Sequence, residues 1–225
     1  MPHRPEIIAH RGASREEPEN TIPAFARAMA LGANAVELDV HRTADGWLVV
    51  HHDPGIASSG SVTPIQSLTL AAVRTFRVGG EPIPTLDDVV AQVAGQMRIY
   101  CELKGAHTSG LAAMRLAPLG ERAAVHSFDH RMIAESASSH PDVPRGVLES
   151  SYHIDPGFPL RDVGARDLWQ YESLIDRALV DAVHQIGCRV IAWTVNDPAR
   201  ATALATMGVD GICTDDVRAI RSSLD

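Results

Sequence analysis

The sequence has no apolar run approaching the roughly 20 residues needed to span a bilayer, and its N-terminal stretch lacks the apolar core of a signal peptide. A soluble, intracellular, cytoplasmic protein without a transmembrane segment is therefore expected. Cysteine is sparse: Cys101, Cys188 and Cys213 are an odd set, far apart and without metal-ligand spacing, which excludes a disulfide framework. Each falls in an apolar, strand-like run and reads as a reduced core residue. Excess positive charge is also missing. A formal net charge of -8 argues against a nucleic-acid surface, while an anionic small molecule could still bind beside a few local cations.

What the chain has instead is regular alternation. Short apolar runs centre on Ile7-Ile8, Ala35 to Leu38, Arg98 to Leu103, Ala123 to Phe128, Pro144 to Leu148, Asp167 to Gln170, Arg189 to Thr194 and Asp210 to Cys213. Segments of helical period fit between most of them: Ile22 to Leu31, Thr85 to Val93, Ser109 to Leu116, Asp129 to Ser138, Glu172 to Ile186 and Pro198 to Ala205. Eight repeated βα units predict an α/β fold, a (β/α)8 TIM barrel, and 225 residues suit one such domain over 1–225. Thr21 and Pro23 start the first helix, Gly32 ends it, Asn196-Asp197-Pro198 starts another, and Gly187 and Gly208 end the sixth and seventh. Two stretches fit less well. Residues 54–84, rich in Gly, Ser and Pro, form a short cap segment after the second strand with one helical pattern near Leu68 to Val73; Ser150 to Ala165 is too irregular for a full helix.

Chemistry-bearing residues gather at the downstream ends of these runs. His10 follows Glu6 to Ala9, Glu37 and Asp39 follow Ala33 to Val36, His52 follows Trp47 to Val50, and Glu102 and Lys104 follow Met97 to Cys101. If these runs are neighbouring parallel strands, the side chains converge on one rim. Glu37 and Asp39, two apart, point to the same face about 6–7 Å from each other. With Glu102 beside them, an oxygen-liganded divalent cation, Mg2+ or Ca2+, is the natural partner; pairing with Arg11 and Arg42 as exposed rim charges is the alternative. His10 and His52 can exchange a proton near neutral pH, although a lone strand-end histidine is often structural. Arg11 and Lys104 are either counter-charges for phosphate or charge balance for the carboxylates. Trp193 ends the seventh strand, either as a wall for a substrate's carbon skeleton or as a core aromatic. His3, His107, His140 and His153 fall in loops and receive no role.

In order along the chain stand His10-Arg11-Gly12, Pro18-Glu19-Asn20-Thr21, Glu37-Leu38-Asp39-Val40, Asp45-Gly46, His52-Asp53-Pro54, Ile83-Pro84-Thr85-Leu86, Glu102-Leu103-Lys104, Trp193-Thr194-Val195-Asn196 and Gly208-Val209-Asp210-Gly211-Ile212. This set, from Ile7 to about Asp215, resembles the glycerophosphodiester phosphodiesterase family. The resemblance implies metal-dependent hydrolysis of small-molecule glycerophosphodiesters to sn-glycerol 3-phosphate and an alcohol. It also implies that Glu37, Asp39 and Glu102 bind the divalent metal, that His10 and His52 are the acid-base pair, and that Arg11 and Lys104 hold the phosphate. Glu19 and Asn20 fall in a family motif as supports. The segment between His52 and Ile83 is short for the family, which bears on the leaving-group side. An alternative on the same barrel is a lysophospholipase D or sphingomyelinase D-like enzyme, which needs an apolar landing surface; loops such as Pro54 to Pro64 and Ser150 to Pro159 carry few large apolar residues. Oligomeric state is not encoded in any of these features.

Overall fold

The computed structural model describes residues 4–58, 60–93 and 95–225; His3, and Ser59 of the cap segment, lie outside them. Eight parallel strands form the barrel: β1 Glu6–His10, β2 Ala35–Arg42, β3 Arg98–Leu103, β4 Ala123–Ser127, β5 Arg145–Glu149, β6 Asp167–Tyr171, β7 Arg189–Trp193 and β8 Gly211–Thr214. Each pairs with the next, and β1 pairs with both β2 and β8, so the eight strands close into a barrel. A helix follows each strand: α1 Ile22–Ala30, α2 Leu86–Val93, α3 Ser109–Leu116, α4 His130–Ser139, α5 Phe158–Val163, α6 Arg177–Gln185, α7 Pro198–Met207 and α8 Val217–Leu224.

The strands are buried on both faces, which is why they read as nearly continuous apolar runs. Ile8, Ala35, Tyr100, Ala124, Leu148, Trp169, Ile191 and Cys213 fill the barrel interior, while a second set, including Phe25, Val36, Leu38, Val125 and Leu116, packs between sheet and helices. Trp169 is the largest interior side chain. It fits because β5 offers Gly146 opposite it: a Cβ there would come within 2.9 Å of Trp169 Cδ1. Local signals act as expected. The Thr21 hydroxyl accepts from Ala24 N–H, the Asp197 carboxylate accepts from Ala199 N–H, and Gly32, Gly187 and Gly208 adopt positive φ at helix ends.

Four expectations require correction. The Trp47 to Val50 run is not a parallel strand: Leu48–Val50 runs antiparallel against Val40, His41 and Arg42, since β2 extends past the barrel rim and turns back. An apolar run carries no information about direction. The cap segment holds more structure than one helical turn. Leu70–Val73 is present, but so are hairpins Gly55–Ser58/Ser61–Pro64 and Arg77–Val78/Glu81–Pro82, closed over Val49, Ile56, Ile65, Val73 and Ile83. Ser150 to Ala165 contains α5, a six-residue helix ended by Gly164 at φ 59°. Residues 172–186 are two pieces, a 3-10 turn at Glu172–Leu174 and then α6, because Asp176 caps a new start by accepting from Leu179 N–H. All three cysteines are free; Cys101 and Cys213 are buried, whereas Cys188, following Gly187, is only half-buried.

Candidate active site

At the C-terminal end of the barrel a cavity of about 150 Å3 is lined by His10, Arg11, Glu37, His52, Glu102, Lys104, His126, Phe128, Leu148, Trp169, Trp193, Thr194 and Cys213. Seven of the eight residues singled out from the sequence therefore share one cavity. The eighth, Asp39, lies fully buried behind it and touches Arg11 and Lys104. A larger hollow of about 770 Å3 lies at the opposite end, but it is walled by charges already paired with one another, such as Arg98 with Glu6 and Arg166 with Glu121.

Strand register explains the convergence. His10 pairs with Glu37 across β1 and β2, Asp39 with Glu102 across β2 and β3, and Glu102 with His126 across β3 and β4. Glu37 and Asp39 fall on the inward face because side chains alternate along a strand. His52 arrives by the antiparallel return. His51 N–H donates to Asp39 C=O, and the His52 C=O lies 3.0 Å from His41 Nε2, so the hairpin is tied back onto β2. After β1 the chain turns sharply, with Arg11 at φ 57° and Gly12 at φ 85°; a Cβ on Gly12 would come within 2.7 Å of the Ala24 backbone. That turn aims the Arg11 N–H at Glu37 Oε2, 3.2 Å away.

The three acids are not equivalent. Asp39 is ringed by donors: Asn20 Nδ2 donates to Oδ2 at 2.8 Å, Arg11 Nε stands 3.2 Å from Oδ2, and Lys104 Nζ stands 3.3 Å from Oδ1. Burial alone would raise its pKa; Lys104 and Arg11 outweigh that and hold it below the ordinary carboxylate value. Glu37 and Glu102 are pushed up to about 7, chiefly by burial, with the Asp39 charge adding to the effect on Glu37. Among the described residues Glu37 Oε1 is buried and accepts no hydrogen bond, while Asp39 Oδ1, also buried, faces the Lys104 ammonium at 3.3 Å. A buried oxygen without a hydrogen bond is costly unless a further partner comes in, and three converging carboxylates fit a hard divalent cation.

Arg11 and Lys104 turn toward these acids. Besides Asp39, Arg11 donates to both oxygens of Glu19 at 3.1 Å, and Lys104 Nζ is 2.8 Å from Glu102 Oε1. Charge balance is thus their visible role, and both still line the cavity. Trp193 donates Nε1–H to the Trp169 carbonyl and meets Phe128 edge-on at 5.3 Å, giving the β4–β7 side an aromatic wall.

Two further residues join the site that the sequence did not single out. Asp215, just after β8, places Oδ1 2.6 Å from His10 Nδ1 and takes further bonds from Asn196 Nδ2 and the Ser14 hydroxyl. Facing a carboxylate, Nδ1 is assigned the proton, which leaves Nε2 toward Glu37 at 4.0 Å. Burial would lower the His10 pKa, but the Asp215 hydrogen bond and the Glu37 charge outweigh it and raise the value; Asp215, despite its own burial, falls to about 2. The available signal was topological: β8 neighbours β1, so the residue after Thr214 lies beside His10. His126, on β4, is buried with Nε2 3.6 Å from Glu37 Oε1. Burial lowers its pKa to about 4, so this approach is not an ion pair at neutral pH. Glu37, Glu102 and His126 bring one ligand atom each to within 4.8 Å of one another. His52 Nδ1 meets Asp53 Oδ1 at 2.8 Å.

A closed parallel barrel with acids, histidines and two cations at its C-terminal mouth has the features of an enzyme site open to an anionic substrate. The model of the glycerophosphoryl diester phosphodiesterase family matches residues 10–219, and the chain belongs to this family. A glycerophosphodiester phosphodiesterase of Caldanaerobacter subterraneus subsp. tengcongensis is 31% identical over 227 residues, covering 93% of each chain. Among solved structures, an Oleispira antarctica phosphodiesterase in complex with the product sn-glycerol-3-phosphate has 25% identity and a TM-score of 0.89, covering 99% of this chain and 97% of that one. A glycerophosphodiester phosphodiesterase from Agrobacterium tumefaciens has 26% identity and a TM-score of 0.86, covering 97% of this chain and 99% of that one. Among the described residues no helix is long and apolar enough to cross a membrane.

Proposed function

We propose that this phosphodiesterase hydrolyses glycerophosphodiesters to sn-glycerol 3-phosphate and an alcohol, by histidine acid-base catalysis assisted by a divalent cation. The observation that supports the reading is the convergence of three buried carboxylates, with Glu37 Oε1 accepting no hydrogen bond among the described residues, beside a histidine held by its own carboxylate. Glu37, Asp39 and Glu102 would hold the ion, which supplies positive charge where negative charge builds on the phosphate. Arg11 and Lys104 are the cations available to phosphate oxygens, and Trp193 with Phe128 walls the carbon skeleton. His10, steadied at Nδ1 by Asp215, and His52, steadied by Asp53, each keep Nε2 for proton transfer. One takes a proton from the attacking oxygen while the other protonates the departing alcohol oxygen. A phenolate leaving group needs no proton, so the histidine variant least impaired on such a substrate identifies the general acid.

The test is turnover of glycerophosphocholine, glycerophosphoethanolamine and glycerophosphoglycerol with and without chelator. Activity is lost in chelator, returns with added divalent cation, and needs more of it in Glu37→Gln or Glu102→Gln. Full turnover in excess chelator overturns the metal assignment. A second reading, toward lysophospholipids, gains support from exposed Phe128, Tyr152, Ile154, Phe158 and Tyr171 on the C-terminal rim. Lysophosphatidylcholine in the same panel separates the two: faster cleavage of it than of glycerophosphocholine favours the second.

A further inference from the structure

We infer that His126 is a nitrogen donor to the ion held by Glu37 and Glu102, and that this site selects a first-row transition metal such as Mn2+ over Mg2+ or Ca2+. The inference rests on the reading that the acid cluster holds a divalent cation. Its basis is which ligand atoms are free. Asp39 is already engaged by Asn20, Arg11 and Lys104, and beside it Glu37 Oε1 accepts no hydrogen bond among the described residues and faces His126 Nε2 across 3.6 Å, which offers the ion a further donor. Atoms of Glu37, Glu102 and His126 lie within 4.8 Å of one another, the span open to donors about 2.4 Å from a shared ion.

The imidazole is also fixed. It stacks on Trp169 with ring centroids 4.2 Å apart and planes 5° from parallel, and Trp169 occupies the space that Gly146 leaves. Register against Glu102 sets the ring's height; among the described residues Nδ1 has no hydrogen-bond partner, so the ring's orientation rests on the Trp169 stack and this register. An imidazole nitrogen suits first-row ions such as Fe2+, Ni2+ and Zn2+, and Mn2+, although it shares the preference of Mg2+ and Ca2+ for oxygen, accepts a nitrogen more readily than those two hard ions do. The rival role is a plain hydrogen-bond donor to Glu37, which would treat all divalent ions alike.

Metal-stripped full-length wild type and His126→Gln are titrated calorimetrically with Mn2+ and with Ca2+, and the Mn2+ forms are examined by pulsed EPR for 14N coupling. The expected result is a fall in Mn2+ affinity of about tenfold or more, with Ca2+ affinity changed by less than about threefold, and loss of a 14N coupling seen in wild type. Equal falls for both ions, unchanged Mn2+ affinity, or a 14N coupling that survives the substitution overturns the inference. Should the variant not fold, wild type decides alone: a nitrogen-bearing site binds Mn2+ at least about tenfold tighter than Ca2+ and shows 14N coupling, and equal affinities without coupling overturn it. Binding of both ions with unchanged selectivity in His126→Gln refutes the nitrogen donor and leaves the proposed metal site standing, whereas a wild type that binds neither ion refutes both.

Discussion

The two ends of this barrel hold similar kinds of residue and use them in opposite ways. At the N-terminal end Glu6 accepts from Arg98, Tyr100 and Arg189, and Asp167 accepts from Arg166 and Arg189. Each buried acid there meets cations and hydroxyls supplied by the chain. At the C-terminal end Glu37, Asp39 and Glu102 are also buried, but although Asp39 meets Asn20, Arg11 and Lys104, Glu37 Oε1 is left without a hydrogen bond among the described residues, and Glu37 and Glu102 are pushed up to about 7. A satisfied charge network contributes to the fold; one with an unbonded oxygen is built to receive something else. Cavity size would have pointed the other way, because the larger hollow is at the satisfied end.

The largest expected effect tests the satisfied end. Asp167→Ala leaves Arg166 and Arg189 without their buried partner, and breaking a buried pair costs about 3–5 kcal/mol. Urea or thermal unfolding reads the loss, while kcat of the folded fraction stays near wild type. An Asp167→Ala protein of normal stability with collapsed turnover would break the comparison. His10→Ala is the converse: turnover falls by roughly 10²-fold or more while the melting temperature is nearly unchanged. Asp215→Asn sharpens the argument within the active end. Removing the carboxylate that raises the His10 pKa lowers turnover by about tenfold or more and moves the His10 limb of the pH–rate profile to lower pH. A variant with the wild-type limb would show that Asp215 does not act through His10.

How much of this was legible depended on whether the information was local. All eight barrel strands could be read because burial on both faces writes an apolar run for each, and Thr21, Gly32, Asp197 and Gly208 mark helix ends through their own backbone chemistry. His10, Glu37, Asp39, Glu102 and Lys104 could be found because each follows such a run. Asp215 also follows a run and His126 lies within one, but what marks them out is a partner 205 and 89 residues away, met only when the strands are laid side by side. The cap hairpins escaped for another reason: Arg77–Val78 and Glu81–Pro82 are too short for any alternation to register. His52 was found on a mistaken premise, the parallel direction of Trp47 to Val50, and reaches the rim because the antiparallel return ends at the same place.

The smallest expected effect concerns stability, and it asks whether a satisfied pair of the active end, His10 with Asp215, behaves like the network at the other. Asp215 has a folded pKa depressed to about 2 from an ordinary 3.8, so its contribution is fully present above 3.8 and is lost as pH falls through about 2. His10 has a folded pKa raised above 6.5, so its contribution is fully present below 6.5 and is lost as pH rises through the raised value. The stability difference between wild type and Asp215→Asn is therefore a plateau from about pH 3.8 to 6.5 that declines on both sides. Asp215 keeps a third of its side chain in solvent, which screens the interaction and limits the plateau to about 1 kcal/mol. Denaturant unfolding of metal-stripped wild type and Asp215→Asn at half-unit pH steps measures it directly. A difference that grew steadily from pH 6 to pH 9 would contradict the His10 assignment, because above its raised pKa the imidazole is neutral and Asp215 has no cation left to hold.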